Sequence, residues 1–224
     1  MKLDERLMLC ASFVRDGIKA VDVGTDHAYL PVYLVKSGKI KEAVASDVRE
    51  GPLSNAKKNI QKNGLSEQIR TVLSDGLAEI TPAQADDIII AGMGGELIIK
   101  IIDAACWLKD SDKHLILQPM TRAEELREYL CKNGFYIQKE KACISCKKTY
   151  SVMLCVYDGK IRECSDKFRY VGNLDQDGSP EAERYIDVVC EKLKKKIKGF
   201  EKGMPEYDSF YRLIGILKRE NDLK

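Results

Sequence analysis

Apolar residues recur along the chain with two periods, and the alternation between them predicts the order of elements. Leu3, Leu7, Ala11 and Val14 stand at helical spacing, predicting an amphipathic helix that runs into Gly17 and covers one side of a sheet. Ala20 to Val23 is a short apolar run of strand type, closed by Gly24. Tyr29 to Ser37, carrying Leu30, Val32, Leu34 and Val35, predicts a crossover helix stopped by Gly38. A second strand, Ala43 to Ser46, ends at Asp47, and a second helix follows on Pro52, Leu53, Ala56 and Ile60, with Pro52 in its first turn. Ile69 to Leu73 predicts a third strand, followed by Ser74-Asp75-Gly76.

The unbroken run Ile88-Ile89-Ile90-Ala91 is the pattern of a central parallel strand covered on both faces. It leads into Gly92-Met93-Gly94-Gly95 and a helix from Glu96 to about Ala105. His114 to Gln118 predicts a fifth strand ending at Pro119. Thr121 is placed as the N-cap of a helix through Cys131, with Glu124 in capping-box position. Phe135 to Lys139 and Tyr150 to Tyr157 are two more extended runs with a hairpin-like return around Lys147-Lys148. Strands alternating with helices predict an α/β fold with a mainly parallel sheet, and the final pair fits an antiparallel strand inserted beside the sixth. Beyond Gly159 the pattern changes. Asn173 to Pro180 reads as a loop, then Ile186, Val189, Leu193, Ile197 and Phe200 form one apolar seam and Tyr207, Phe210, Ile214 and Leu217 another. The Lys202-Gly203-Met204-Pro205 break between them predicts an antiparallel helical hairpin leaning on the sheet.

With 224 residues and 44% hydrophobic content, the chain can bury one substantial core plus a small appendage. The 37 basic and 35 acidic residues give a net charge of +2, so a nucleic-acid partner would have to be held by a local patch. One such patch exists: Lys192, Lys194, Lys195, Lys196, Lys198 and Lys202 crowd the first hairpin helix. The same run also suits a plain solvated face. The eight cysteines and the absence of a signal-peptide core predict reduced thiols in a cytoplasmic protein, and no apolar run has the length of a membrane span. Cys143-Ile144-Ser145-Cys146 has the spacing of a metal half-site, but zinc needs four ligands and no second pair complements it, so no metal is expected.

The strand ends carry the candidate chemistry, because ligands of open α/β sheets bind beyond the carboxyl ends of the strands. Gly24 admits a ligand close to the backbone, and Asp47 is placed for ribose hydroxyls; both would suit NAD as well. A dinucleotide site needs G-x-G-x-x-G to seat a pyrophosphate, whereas this chain has Gly24-Thr25-Asp26-His27-Ala28-Tyr29, with an aspartate that repels phosphate. The aspartate is compatible with a ligand carrying a sulfonium and an ammonium, as S-adenosylmethionine does. Asp75-Gly76 then suits its adenine, and Gly92 leaves room for the methionine part and the reacting methyl. Plainer readings stand beside these. Asp22 and Asp47 could bond nearby backbone amides or cap a helix, Asp75-Gly76 is an ordinary turn dipeptide, His27 and Tyr29 could be structural, and Gly94-Gly95 could serve helix packing.

The run Asp22-Val23-Gly24-Thr25-Asp26-His27-Ala28-Tyr29-Leu30-Pro31, with Ile90-Ala91-Gly92-Met93-Gly94-Gly95 and Gln118-Pro119, resembles the bacterial tRNA (adenine-22-N1)-methyltransferase family, often called TrmK. The resemblance extends over essentially the whole chain. It implies a Rossmann-like class I methyltransferase sheet over residues 1–159, a C-terminal helical (coiled-coil) hairpin domain with its connecting loop over 160–224, and methyl transfer from S-adenosyl-L-methionine to N1 of adenine 22 in tRNA. It implies cofactor contacts from Asp22, Gly24, Asp47, Val48, Asp75, Gly76, Ala91 and Gly92, with Asp26 as the candidate catalytic carboxylate. His27, Tyr29, Met93 and Gly94 are the candidates to wall an extruded adenine, and Lys194, Lys195 and Lys198 to hold RNA phosphates. A monomer is the working expectation. The rival readings are a methyltransferase of another substrate, a nucleotide-dependent oxidoreductase using Gly92-Met93-Gly94-Gly95 as a phosphate loop, and a non-enzymatic RNA-binding protein.

Overall fold

The computed structural model describes residues 3–221. Among these, seven strands form one sheet: β1 (Lys19–Val23), β2 (Glu42–Asp47), β3 (Ile69–Leu73), β4 (Asp87–Gly94), β5 (His114–Thr121), β6 (Phe135–Ser145) and β7 (Lys148–Tyr157), in the order β3-β2-β1-β4-β5-β7-β6. The first five are parallel, and β7 runs antiparallel between β5 and β6. The expected antiparallel strand therefore lies on the inner side of β6. Cys146 and Lys147, at φ of 48° and 63°, form the two-residue return between β6 and β7, the left-handed pair a tight hairpin of this twist requires.

The isoleucine run in β4 shows why the sheet is buried on both sides. Ile88 and Ile90 pack into the core beneath α4 (Gly95–Ala104) and α5 (Ala123–Lys132), while Ile89 points into the opposite core, beneath α1 (Glu5–Phe13), α2 (Tyr29–Lys36) and α3 (Glu50–Lys62). Successive strand residues face opposite sides, so a strand with no polar position is stable only between two helical layers. Asp4 caps α1 by accepting from the Leu7 amide at 2.8 Å.

Two expectations are corrected at the β4–β5 edge. β4 does not end at Ala91 but runs on through Met93 and Gly94, which pair with Pro119 and Thr121 across a register shift. Thr121 is therefore still strand, and it does not cap α5. The N-cap is Arg122 at a left-handed φ of 56°, with no side-chain cap bond. The bulge accommodates Pro119, which has no N–H for a regular ladder.

The C-terminal region contains more structure than its composition predicts. Ser165 caps a short helix, α6 (Asp166–Val171), and Gly172–Gln176 makes a tight helical turn where a loop was expected. Then α7 (Pro180–Ile197) and α8 (Pro205–Asn221) pair as a helical hairpin around Ile186, Val189, Leu193, Leu213 and Leu217. This unit is tied to the sheet by a buried ion pair. Arg127 of α5 and Glu140 of β6, both with side chains 0% exposed, meet at 2.7 Å. Arg127 also donates to the Arg169 and Tyr170 carbonyls and to the Tyr185 hydroxyl, and Glu140 accepts from the Asn173 amide.

Candidate active site

The carboxyl ends of four neighbouring strands converge on one cavity of about 310 Å³, within the range of small-molecule sites. Of the sequence-predicted residues, Gly24, Asp47, Val48, Asp75, Gly76, Ala91, Gly92 and Met93 line it. Val48, Leu97 and Ile101 make its apolar walls.

At the end of β1 the backbone folds tightly over β2: the Gly24 and Thr25 amides both donate to the Ser46 carbonyl at 2.8 Å. Gly24 has φ of 77°, and a Cβ there would lie 2.0 Å from Cε of Met93. Both the conformation and the close approach demand glycine. Buried Thr25 accepts from the Ala28 amide at 3.1 Å, closing the turn into α2.

At the end of β2, Asp47 is buried and its Oδ1 accepts from the Arg49 amide at 2.8 Å, with the Arg49 guanidinium 3.6 Å away. The N-cap of α3 is Arg49, so Asp47 is not the helix cap. At the end of β3 the Ser74 hydroxyl donates to the Gly76 carbonyl and accepts from the Glu79 amide, which fixes the Asp75-Gly76 turn against Ile101.

Asp22, the penultimate residue of β1, is 9% exposed. Burial pushes its carboxyl up to about 6, and nearby Asp47 adds to this, while the Thr25 hydroxyl and the Arg6 guanidinium pull the other way. Asp22 is not among the residues that line the cavity, but its neighbour Val23 is, and a carboxylate held this way is stabilised by any cation that comes near it. This is the observation on which a sulfonium- and ammonium-bearing ligand fits, together with the room left by Gly24 and Gly92.

The end of β4 is organised by Gln118, which the sequence offered only within the Gln118-Pro119 motif, and by Arg6, which no sequence pattern singled out. Gln118 is fully buried, and its Oε1 accepts from the Gly92 amide at 3.0 Å and from Arg6 Nη1 at 2.8 Å. Its Nε2 donates to the Pro119 carbonyl. Gly92 is thereby pinned at φ of 82°, with the Arg6 guanidinium beside it. Gly94 sits against the Thr121 hydroxyl, and a Cβ on Gly95 would be 2.3 Å from the Arg122 carbonyl. Met93 and Gly94 are thus paired with β5, the Gly92 amide is taken by Gln118, and Gly95 is closed by packing, which leaves no open phosphate loop there.

Asp26, His27 and Tyr29 do not line the cavity. They form an exposed ladder just outside it: Asp26 Oδ2 lies 3.3 Å from His27 Nε2, and the His27 ring stacks on Tyr29 at 5.0 Å. The Asn59 side chain holds the His27 carbonyl at 2.7 Å. Of the three predicted lysines on α7, Lys194 pairs with Glu191 at 3.5 Å, and helical spacing turns Lys194 and Lys198 away from the side that faces the sheet. Cys143 is buried in β6 and Cys146 lies exposed in the hairpin return. Among the described residues no helix is long and apolar enough to cross a membrane.

Comparison with known proteins gives a consistent assignment. Residues 3–153 match the family described as Methyltransferase domain. The tRNA (adenine(22)-N(1))-methyltransferase of Bacillus subtilis (strain 168) is 37% identical over 166 residues, covering 71% of this chain and 70% of that protein. Sp1610 of Streptococcus pneumoniae, a proposed tRNA (m1A22) methyltransferase, has a solved structure that superposes with a TM-score of 0.87 at 36% identity, covering 98% of this chain and 99% of that one. The same protein in complex with S-adenosyl-L-methionine gives a TM-score of 0.85 at 35% identity, over 98% and 99% of the two chains.

Proposed function

Because this chain belongs to the tRNA (adenine(22)-N(1))-methyltransferase family, we propose that it transfers a methyl group from S-adenosylmethionine to N1 of adenine 22 in tRNA. The observation that carries this reading is the convergence of Gly24, Asp47, Asp75-Gly76 and Ala91-Gly92, from four neighbouring strand ends, on one cavity. S-adenosylmethionine supplies a methyl group made electrophilic by its sulfonium. Asp22 offers negative charge to the cationic part, Asp47 accepts from ribose hydroxyls, and Asp75 accepts from the adenine amino group. Val48, Leu97 and Ile101 supply apolar contact, and Arg6, held by Gln118, stands where it can meet a carboxylate. A nucleotide-dependent oxidoreductase is disfavoured because the Gly92 amide is already taken by Gln118, Met93 and Gly94 are paired with β5, and Gly95 is closed by packing.

The acceptor N1 has an in-plane lone pair, so alignment with the methyl carries most of the rate. N1 lies on the Watson–Crick edge, and the adenine must leave its stack to present it. Met93 and Gly94 flank the place where it arrives, and the His27–Tyr29 ladder offers an exposed ring pair at the rim. Asp26 is the carboxylate nearest that rim on the β1 turn; it stabilises the cationic product or takes a proton from the exocyclic amine. Residues 1–159 act as the methyl-transfer domain and 160–224 as the tRNA arm, with Lys194, Lys195 and Lys198 as a phosphate track. A tRNA substrate places the enzyme in the cytoplasm.

Single-turnover transfer of labelled methyl to tRNA transcripts tests this. Label should enter the transcript with adenine at position 22 and not the one with guanine there; equal labelling would reject the assignment. In the same assay Asp26→Asn should bind cofactor and tRNA normally and slow transfer roughly 10²-fold or more, the usual scale for general acid–base loss. A full-rate variant would remove Asp26 from the chemistry. Charge reversal at the three lysines should lower tRNA affinity and flatten its salt dependence without changing cofactor affinity, and an unaltered salt slope would assign them to solubility.

A further inference from the structure

A second cavity opens at the same end of the sheet, between the sheet and the C-terminal helices. Pro119, Thr121 and Arg122 line it from the end of β5, Tyr150 from the start of β7, and Tyr185 and Lys192 from α7. Because β7 runs antiparallel to β5, its first residues lie at the carboxyl end of β5, where ligands of this sheet bind. Its lining combines the rings of Tyr150, Tyr170 and Tyr185 with the cations Arg122, Lys192 and Lys196, beside one carboxylate, Glu124. Tyr185, Val189, Lys192 and Lys196 fall on one face of α7 at helical spacing, and all four line it, with Tyr170 behind them. Tyr185 is braced from below by Arg127, which donates to its hydroxyl at 3.2 Å and lies 5.7 Å from its ring centre. Tyr150 is half-buried, and among the described residues its hydroxyl has no hydrogen bond and Lys192 has no ion pair.

The two cavities share no lining residue. They are nonetheless adjacent: Met93, in the wall of the first, pairs with Pro119, in the wall of the second, and paired strands lie about 4.8 Å apart. The acceptor base must reach the first cavity to meet the methyl group. The second is one strand further along, with the chemistry of a single-stranded nucleotide site, namely aromatic faces for a base and lysines for its phosphates. We propose that this cavity receives the nucleotide next to the target adenine, its base against Tyr150 and its backbone phosphate on Lys192 and Lys196. On this arrangement the displaced neighbour fixes the strand so that the adenine is delivered to Gly92 and Met93. The assignment rests on tRNA being the substrate.

The test uses the full chain with tRNA assembled from synthetic halves in which the base on one or the other side of the target adenine is removed. For the wild-type enzyme, removing one of these two bases should lower kcat/KM roughly tenfold, the scale of a lost base–aromatic stack. Tyr150→Ala should show a similar loss on intact tRNA and no further loss on the abasic one, while Tyr150→Phe behaves as wild type. Lys192→Glu with Lys196→Glu should weaken tRNA binding and reduce its salt slope. Cofactor affinity, unchanged in every variant, reports that the sheet domain is intact. Fully additive losses, or no effect of either abasic position, would overturn the cavity assignment while leaving methyl transfer to tRNA standing. Failure of the wild-type enzyme to methylate intact tRNA would instead overturn the reading on which it rests.

Discussion

Asp22→Asn should bind S-adenosylmethionine at least about tenfold more weakly than the wild type, the usual scale for removing a charged partner, and should at the same time melt at a higher temperature at neutral pH without cofactor. Both effects have one cause. Asp22 is buried one residue before the cavity-lining Val23, and its carboxyl is pushed from 3.8 up to about 6, chiefly by burial. The folded chain therefore holds the Asp22 proton more tightly than the unfolded chain does. The stability this group contributes is fully present below about pH 4, is lost as pH rises through about 6, and stays lost above. The shift corresponds to roughly 3 kcal/mol at most. Asparagine has nothing to titrate, so the difference in Tm between variant and wild type should open between pH 4 and 6 and vanish at the acid end. Cofactor affinity of the wild type should fall as pH drops through about 6, because a protonated Asp22 offers no charge to a cation. Calorimetric binding and thermal melts across this range check both. An unchanged affinity, or a lowered Tm at pH 7, would show that Asp22 serves the fold and not the ligand.

Asp22 also marks where sequence patterns stop being informative. The strand ends were legible because β-strands closed by Gly24, Asp47 and Asp75-Gly76 carry local signals, and the cavity gathers those residues. The Ile88–Ile90 run was legible as a doubly covered strand for the same reason. Thr121 was misplaced because a cap pattern followed by Glu124 is local evidence, whereas pairing with Gly94 on a neighbouring strand is not. Arg6 had no local signature at all, and Gln118 stood only in the Gln118-Pro119 motif, with no role attached to it. Arg6 reaches the site because α1 packs across the sheet, and Gln118 matters because its side chain joins Arg6 to the Gly92 amide. That Asp26 and His27 lie outside the cofactor cavity, in contact with each other, also depends on how the turn into α2 closes over Thr25, which the residue order alone does not specify.

The Arg127–Glu140 pair was invisible for a related reason: no local pattern relates a helix residue to one on a strand 13 positions later, yet together they form a buried bolt between the sheet and the C-terminal helices. Arg127→Met should be the most destabilising single change proposed here. It strands Glu140 without its counter-ion and leaves the Arg169 and Tyr170 carbonyls and the Tyr185 hydroxyl without their donor. Removing one member of a buried pair costs about 3–5 kcal/mol, and for a chain of this size the Tm should fall on the order of 10 °C. The double variant Arg127→Met with Glu140→Leu removes both charges and should be more stable than either single variant, although short of wild type because the orphaned carbonyls and the Asn173 amide remain. Chemical denaturation measures all three. The loss should also be uneven. Amide exchange should accelerate most in α6 and the Gly172–Gln176 turn, which the pair holds directly, while β4 and β1, three and four places from β6 in the sheet, keep their protection. At a temperature where Arg127→Met is still folded, cofactor binding should therefore persist and tRNA methylation should decline, because the proposed cofactor cavity is built from strand ends while the proposed tRNA-facing wall is held in part by this buried pair. Strictly additive single losses, or cofactor and tRNA functions failing together, would mean that the two parts do not depend on the bolt in this way.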